Sequence, residues 1–242
     1  MLLYHTVSEK DWRFATDPVA FADHLDALVA DGRRLCTIAD LVAAPLDAGP
    51  GLAVTFDDGY RDNLDVALPL LAERGIPATI FVTTSYIDGT APAPGRMLSP
   101  DGVRELHSAG IEVGSHGRRH LSHLRLSRAE IRDEMRSSRA WLEDVVGAEV
   151  VSFAYPHGHH DRRGREEVVA AGYRSASIVM NAVARPERDP FAISRLTVER
   201  HHDRDDVAAM LQQRPAGPRV RLRARAGSLR RAIGAARSRG HS

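Results

Sequence analysis

The chain has 242 residues, of which 43% are hydrophobic and 27% charged, a balance typical of one globular domain and not of a disordered or fibrous protein. The sequence contains no run of eighteen apolar residues, and Met1–His5 has neither the basic nor the apolar part of a secretory leader. It therefore predicts no membrane span and no signal peptide, and a cytoplasmic location. The single cysteine, Cys36, excludes an intrachain disulfide.

The net charge of +1 conceals an uneven distribution. Residues 214–242 contain nine arginines and no acid, so residues 1–213 hold 24 basic and 32 acidic residues, about −8. We expect one domain at 1–213 and a basic tail at 214–242. Leu222 and Leu229 belong to a helical pattern that suits an anionic membrane surface, which would make the protein peripheral to the membrane. The tail's glycines favour disorder instead, and no motif indicates a nucleic-acid partner.

Strand and helix patterns alternate along the chain. Asp17 and Pro18 open the first helix as N-cap and first-turn residue, and Gly32 ends it. The predicted strands are Leu2–Tyr4, Arg34–Thr37, Leu52–Phe56, Ala78–Thr83, Ile111–Gly114, Val150–Tyr155, Ser175–Val179 and Ile193–Val198. Later helices are predicted at Ile38–Ala43, from Leu64 to Gly75, from Ser99 to Gly110, and at Ser127–Val146, Arg165–Ala171 and Asp205–Gln212. This alternation predicts an α/β fold with parallel strands, whose C-terminal ends form one face.

The predicted strand Leu52–Phe56 ends at two adjacent carboxylates, Asp57 and Asp58, followed by Gly59 and Tyr60. Taken alone, Asp-Asp-Gly is typical of a turn. At a strand end, however, both carboxylates can face one pocket. One carboxylate could then bind a divalent cation, whose charge would keep the other ionised as a general base.

Two histidines four residues apart, His116 and His120, follow the predicted strand Ile111–Gly114. This spacing places two imidazoles on one face of a helical turn, where they can share one ion. With Asp58 they would make a set of three ligands that leaves coordination positions open. Open positions distinguish catalytic from structural metal sites.

Three motifs in order carry a resemblance to a known family. Thr55-Phe56-Asp57-Asp58-Gly59, His116-x-x-x-His120 and Phe153-x-x-Pro156-x-Gly158 resemble the polysaccharide deacetylases, also called the NodB-homology domain or family 4 carbohydrate esterases. The resemblance covers about residues 1–213. It implies a distorted (β/α) barrel of about seven parallel strands, with the active site at their C-terminal ends.

The resemblance also implies the roles of individual residues. Asp57 is expected as the general base, and Asp58, His116 and His120 as ligands of one divalent metal, zinc first, with cobalt, nickel or manganese as alternatives. Pro156 and His157 match the stretch whose main-chain N–H holds the oxyanion. The expected substrate-binding side chains, which end or follow predicted strands, are His5, Tyr60 and Tyr155.

Two departures from the family pattern affect these roles. Ala154 stands where many relatives carry an arginine that pairs with the base, so either another arginine replaces it or Asp57 is oriented differently. Arg195 stands where a general-acid histidine is expected, and it could stabilise developing charge but not donate a proton. The acid therefore stays unassigned, with His157, His201 and His202 as weak candidates. His123 is predicted to be a surface residue.

The sequence predicts a metal-dependent hydrolase that removes N-acetyl groups, with O-acetyl groups as the alternative, from an amino-sugar polysaccharide or its lipid-linked precursor. One alternative is a metal-dependent amidohydrolase or deformylase acting on a small molecule. A second is a catalytically weak sugar-binding or scaffold protein in surface-polysaccharide assembly. The four residues Asp57, Asp58, His116 and His120 argue against the second alternative, because a binding module has no use for a base beside a metal site.

Overall fold

The computed structural model describes residues 1–45, 47–87, 95–181 and 189–212. Seven strands form a closed barrel in which every pair of neighbours is parallel. In chain order they are β1 (Leu2–Tyr4), β2 (Val54–Phe56), β3 (Ala78–Val82), β4 (Glu112–Ser115), β5 (Ser152–Ala154), β6 (Ser175–Val179) and β7 (Ile193–Thr197). They follow one another around the barrel in this order, and β7 closes it against β1. The predicted (β/α) barrel of about seven parallel strands is confirmed.

Seven α-helices accompany the strands in the described part of the chain. They are α1 (Pro18–Asp31), α2 (Ile38–Ala43), α3 (Leu68–Glu73), α4 (Pro100–Ser108), α5 (Arg128–Val146), α6 (Arg162–Ala170) and α7 (Arg204–Leu211). None of the helices among these residues is long and apolar enough to cross a bilayer. The basic tail at 214–242, and with it the predicted boundary at residue 213, lies outside the described residues.

Local capping chemistry decides where most of these helices begin. The Asp17 carboxylate accepts a hydrogen bond from the N–H of Val19 at 2.9 Å, and Gly32 ends α1 with a φ of 77°. Helix α6 begins three residues earlier than the predicted Arg165 because Asp161 caps it, accepting from the Gly164 N–H at 2.9 Å. The sequence prediction overlooked this aspartate.

Some local structures were predicted only in part. A π-helical turn at Asn63–Ala67 precedes α3, where the prediction has one continuous helix from Leu64. Two small sheets pair Thr6–Val7 with Ala15–Thr16 and Arg34–Leu35 with Gly51–Leu52, whereas the prediction has a strand at Arg34–Thr37 but neither sheet. Strands of two residues are too short to produce an alternating pattern, and π turns have no sequence signature of their own.

The core fills the barrel and the space between strands and helices. The predicted stripe of α1, formed by Phe21, Leu25 and Leu28, is fully buried. At the N-terminal end of the barrel the Glu112 carboxylate accepts hydrogen bonds from the hydroxyls of Thr79 at 2.6 Å and Ser152 at 2.5 Å. This carboxylate joins β3, β4 and β5. It lies at the end of the barrel opposite the predicted site residues.

Candidate active site

The predicted base and metal ligands follow the C-terminal ends of two barrel strands, β2 and β4, which β3 separates. Asp57 and Asp58 come directly after β2, and His116 directly after β4. Backbone hydrogen bonds fix both positions: the Asp57 N–H donates to the Tyr4 carbonyl at 3.0 Å, and the His116 N–H to the Val82 carbonyl at 2.9 Å. The parallel barrel thereby brings Asp58 near His116, although the two residues are 58 positions apart in the sequence.

The structure brings Asp58, His116 and His120 together as a set that could hold a metal ion. Their candidate ligand atoms all lie within 4.8 Å of one another. The Asp58 Oδ1 lies 3.4 Å from the His120 Nε2 and 3.8 Å from the His116 Nε2. The His116 Nδ1 lies 2.7 Å from the Ala154 carbonyl oxygen. Because a carbonyl oxygen only accepts hydrogen bonds, Nδ1 carries the proton. The His116 Nε2 of the neutral ring then has a free lone pair.

The donor set fits a divalent cation by its chemistry. Asp58 is buried, yet its Oδ1 has no hydrogen-bond partner among the described residues. A buried carboxylate oxygen without a partner is costly unless something else neutralises it. One carboxylate and two imidazoles are ligands that zinc and related metals accept, and three protein ligands leave room for water and substrate.

The two histidines do not lie on a helical turn, contrary to the prediction. Strand β4 ends at Ser115, and the chain to His120 is a loop in which Gly117 and His120 have φ values of 79° and 57°. Left-handed residues redirect the chain, so this loop brings the second imidazole back to the first without helical periodicity.

A buried carboxylate of α5 holds this loop. The Glu134 Oε2 accepts hydrogen bonds from the N–H groups of Arg118 at 3.0 Å and Arg119 at 2.8 Å, and its Oε1 accepts from the Arg119 side chain at 2.5 Å. Glu134 is 1% exposed. Because the carboxylate contacts the two residues between Gly117 and His120, it fixes the position of the second imidazole.

Asp57 forms a buried ion pair with Arg195 of β7. The Arg195 Nη1 and Nη2 donate to the two Asp57 oxygens at 2.6 and 2.8 Å, and both side chains are almost completely inaccessible. Burial alone would raise the pKa of Asp57, but the charges of Arg195 and His116 and the hydrogen bonds from Arg195 outweigh it and lower this pKa to about 2. Burial and the negative charge of Asp57 raise the pKa of Asp58 to about 7.

This ion pair decides between the two alternatives for the missing arginine. Ala154 is buried in the small cluster around Phe81, and the guanidinium that faces Asp57 comes from β7 instead of β5. The Arg195 guanidinium also lies over the Phe81 ring, 5.2 Å from its centroid. Arg195 therefore acts on Asp57 from inside the barrel, as the partner of the carboxylate.

The predicted substrate-binding residues differ in their surroundings. His5 follows β1, and its ring stacks on Phe14 with 4.8 Å between centroids. Tyr60 is buried, and its hydroxyl has no partner among the described residues. Tyr155 is also fully buried, and its hydroxyl donates to the Phe191 carbonyl at 3.3 Å, so its ring packs in the core.

Four further histidines named in the sequence analysis fall into three groups. His157 is exposed, has a φ of 60°, and its ring centroid lies 4.5 Å from that of His120. His201 and His202 pack on each other next to Glu199, away from the site residues. His123, predicted at the surface, is fully buried and stacks on Phe153.

Comparison with known proteins agrees with this geometry. The model of the polysaccharide deacetylase family matches residues 47–176, more than half of the chain, and this segment contains Asp57, Asp58, His116 and His120. The chain belongs to the polysaccharide deacetylase family.

Individual relatives match most of this chain. Over 202 residues the chain is 24% identical to the putative polysaccharide deacetylase YxkH of Bacillus subtilis (strain 168), covering 82% of this chain and 70% of the relative. The solved structure of IcaB from Ammonifex degensii is 26% identical with a TM-score of 0.75, covering 87% of this chain and 95% of that one. The deacetylase PplD of Streptococcus pyogenes, solved in complex with acetate, shares the fold at 20% identity and a TM-score of 0.75, covering 90% and 97%.

Proposed function

We propose that this polysaccharide deacetylase depends on one divalent metal and removes N-acetyl groups from an amino-sugar polysaccharide or its lipid-linked precursor. The observation that carries the proposal is the unpartnered, buried Asp58 Oδ1 facing the imidazoles of His116 and His120, next to the ion-paired Asp57. Asp58, His116 and His120 would hold the ion. When bound, it supplies Lewis-acid activation of water and of the acyl carbonyl.

Asp57 is the proposed general base. Its carboxylate is kept ionised by Arg195, so it can accept a proton from the attacking water at any pH above its lowered pKa of about 2. Because Arg195 donates hydrogen bonds to both Asp57 oxygens, the carboxylate is also held in one orientation. A fixed, ionised carboxylate beside a metal-ligand set is the arrangement that hydrolysis of an unreactive amide requires.

One further role completes the proposal. The main-chain N–H of His157 would hold the oxyanion, since this residue follows Pro156 at the rim of the site. The proton donor to the leaving amine stays unassigned. Burial lowers the pKa of His5 and of His202 to about 4, so both imidazoles are neutral near pH 7 and have no extra proton to donate.

The metal and the tail complete the proposal. Two nitrogen donors and one oxygen donor favour zinc, with cobalt, nickel and manganese as alternatives. We propose that the deacetylase domain ends near residue 213 and that the nine arginines of 214–242 attract an anionic membrane surface, where lipid-linked sugars lie.

Acetate release tests the proposed chemistry. The metal-stripped protein is refilled with zinc, cobalt, nickel or manganese and assayed on N-acetylated and O-acetylated sugars and on small acetamides. We expect Asp57→Asn to lose about a hundred- to ten-thousand-fold in kcat while it retains metal, because asparagine cannot accept the proton. Asp65→Asn, the same change at an exposed carboxylate, is the matched control and should keep its activity. Activity that survives metal stripping, or an Asp57→Asn variant within a few-fold of the unmodified protein, would contradict the proposal.

A further inference from the structure

A cluster of aromatic rings adjoins the active site on the side of the first strand. It consists of His5, Trp12, Phe14 and Tyr60. Trp12 lies 5.3 Å from Phe14, 5.9 Å from His5 and 5.9 Å from Tyr60, measured between ring centroids, and His5 lies 4.8 Å from Phe14. His5 and Tyr60 follow the strands that carry the site, and Trp12 and Phe14 lie in the loop of residues 8–14 between them and the solvent.

Trp12 and Phe14 keep part of their surface exposed, whereas Tyr60 beneath them is fully buried. Trp12 packs on the small cluster of Tyr60, Tyr86 and Met97, and the Tyr86 ring centroid lies 5.9 Å from that of His120. The aromatic surface thus continues from His5, on the Asp57 side, to a tyrosine beside a proposed metal ligand. Of the chain's two tryptophans, one stands at the active site and the other, Trp141, lies on α5.

Contacts with Glu199 and Arg200 hold the loop that carries these rings. Arg13 pairs with Glu199, and its guanidinium lies over Phe14, 5.1 Å from the ring centroid. The Arg200 N–H donates to the Arg13 carbonyl at 2.8 Å, and the Arg200 side chain donates to the Glu9 carbonyl at 3.3 Å. The rings are therefore fixed before a ligand arrives, which removes the ordering cost that a mobile loop would add to binding.

We propose that Trp12 forms a sugar subsite of this enzyme, which binds the pyranose ring next to the residue that loses its acetyl group. Phe14, whose two faces are taken by His5 and Arg13, supports the Trp12 ring from the side. The inference rests on the proposed function. A pyranose with equatorial substituents, such as N-acetylglucosamine, has a face of C–H groups that is apolar and weakly positive, and the face of an aromatic ring is apolar and carries negative charge density. Stacking the two removes apolar surface from water and makes no demand on hydrogen-bond partners.

Tryptophan fluorescence tests this subsite by binding alone. In the Asp57→Asn background, which prevents turnover, Trp141→Phe leaves Trp12 as the only tryptophan, and Trp12→Phe leaves only Trp141. We expect the β-1,4-linked tetramer of N-acetylglucosamine to shift the emission of the Trp12-only protein in a saturable way, and to leave the Trp141-only protein unchanged. Because no acetyl group needs to be removed, this readout does not depend on the proposed chemistry. A saturable shift in the Trp141-only protein alone, or in neither protein, would overturn the proposal.

Kinetics in the otherwise unmodified enzyme provide the second readout. We expect Trp12→Ala to raise KM for the tetramer by on the order of tenfold, the effect of losing the apolar area of one stacked ring. Turnover of 4-nitrophenyl acetate, which has no sugar ring, should stay unchanged, and Trp12→Phe should restore most of the affinity for the tetramer. An equal loss on both substrates would show that Trp12 only supports the fold, and an unchanged KM would show that no sugar stacks there.

Discussion

Replacing Arg195 by methionine should shift the pH dependence of catalysis. Arg195 is fully buried and holds both oxygens of Asp57, with its Nη1 2.6 Å from Oδ1. With about 4 Å between charge centres and an effective dielectric constant of about 20, the pair is worth about 4 kcal/mol, equivalent to about three pKa units. Without Arg195 the burial of Asp57 is opposed only by weaker charges, so its pKa should rise from about 2 to about 5.

The assay is kcat/KM on an acetylated sugar, followed from acidic to mildly alkaline pH. A base works in its ionised form, so its activity is lost as the pH falls through its pKa. The acidic limb of the profile should therefore move upward in Arg195→Met, by up to about three units, and a cation bound at the proposed site would reduce the shift. A folded Arg195→Met protein whose acidic limb stays in place would refute the reasoning. Thermal unfolding is the control, because an unpaired buried charge costs about 3–5 kcal/mol.

A second variant separates the charge of Arg195 from its packing. Ala154 of β5 is buried in one cluster with Phe81, whose ring Arg195 covers. The double variant Arg195→Met, Ala154→Arg places a guanidinium on β5, the position that many relatives use, and should return the acidic limb toward that of the unmodified protein. Ala154→Met in the same background adds the volume without the charge and should not.

Three further predictions concern the metal, acid stability and the tail. His120→Ala should lose metal in elemental analysis while its circular dichroism stays unchanged, and full metal occupancy would contradict its role as a ligand. His24 is buried between the Tyr4 hydroxyl, 3.3 Å from its Nδ1, and the His202 carbonyl, 3.1 Å from its Nε2, and burial lowers the pKa of His24. Stability should therefore be complete above the unfolded-state pKa of about 6.5 and fall with pH below it, and His24→Gln, which cannot titrate, should weaken this dependence in urea unfolding. Deleting residues 214–242 should leave turnover of a small soluble substrate unchanged and reduce sedimentation with anionic vesicles; loss of that turnover would show that the domain extends past residue 213.

The sequence predicts the features of this fold that are local in the chain. Asp17, Gly32 and Ser127 mark helix ends through their own hydrogen bonds or dihedral angles, and the structure confirms all three. The proposed metal ligands could likewise be chosen from two motifs, because the order of parallel strands brings strand ends together.

Features that depend on closing the barrel were outside the reach of sequence patterns. The contact between Asp57 and Arg195 joins residues 138 positions apart, and it forms because β7 returns next to β1. The burial of His123 similarly depends on how the loop after β4 packs on Phe153. Trp12 and Phe14 could have been noticed as two aromatic residues close to the first strand, but their distance from Asp57 depends on the small sheet formed by Thr6–Val7 and Ala15–Thr16.

The Glu134 contacts to the loop of His120 have a consequence for how the proposed site would bind a cation. Because a helix carboxylate holds the N–H groups of Arg118 and Arg119, the loop keeps its shape through protein hydrogen bonds alone. Coordination then needs no folding step, unlike the small zinc domains that are unfolded without metal. Amide hydrogen exchange in this loop should be equally slow in the stripped and refilled enzyme, and different cations should exchange at the site without a change in protein conformation. Glu134→Gln should weaken the hydrogen bonds that hold this loop. Cation uptake should then become slower, because the loop would become ordered only as the ion binds.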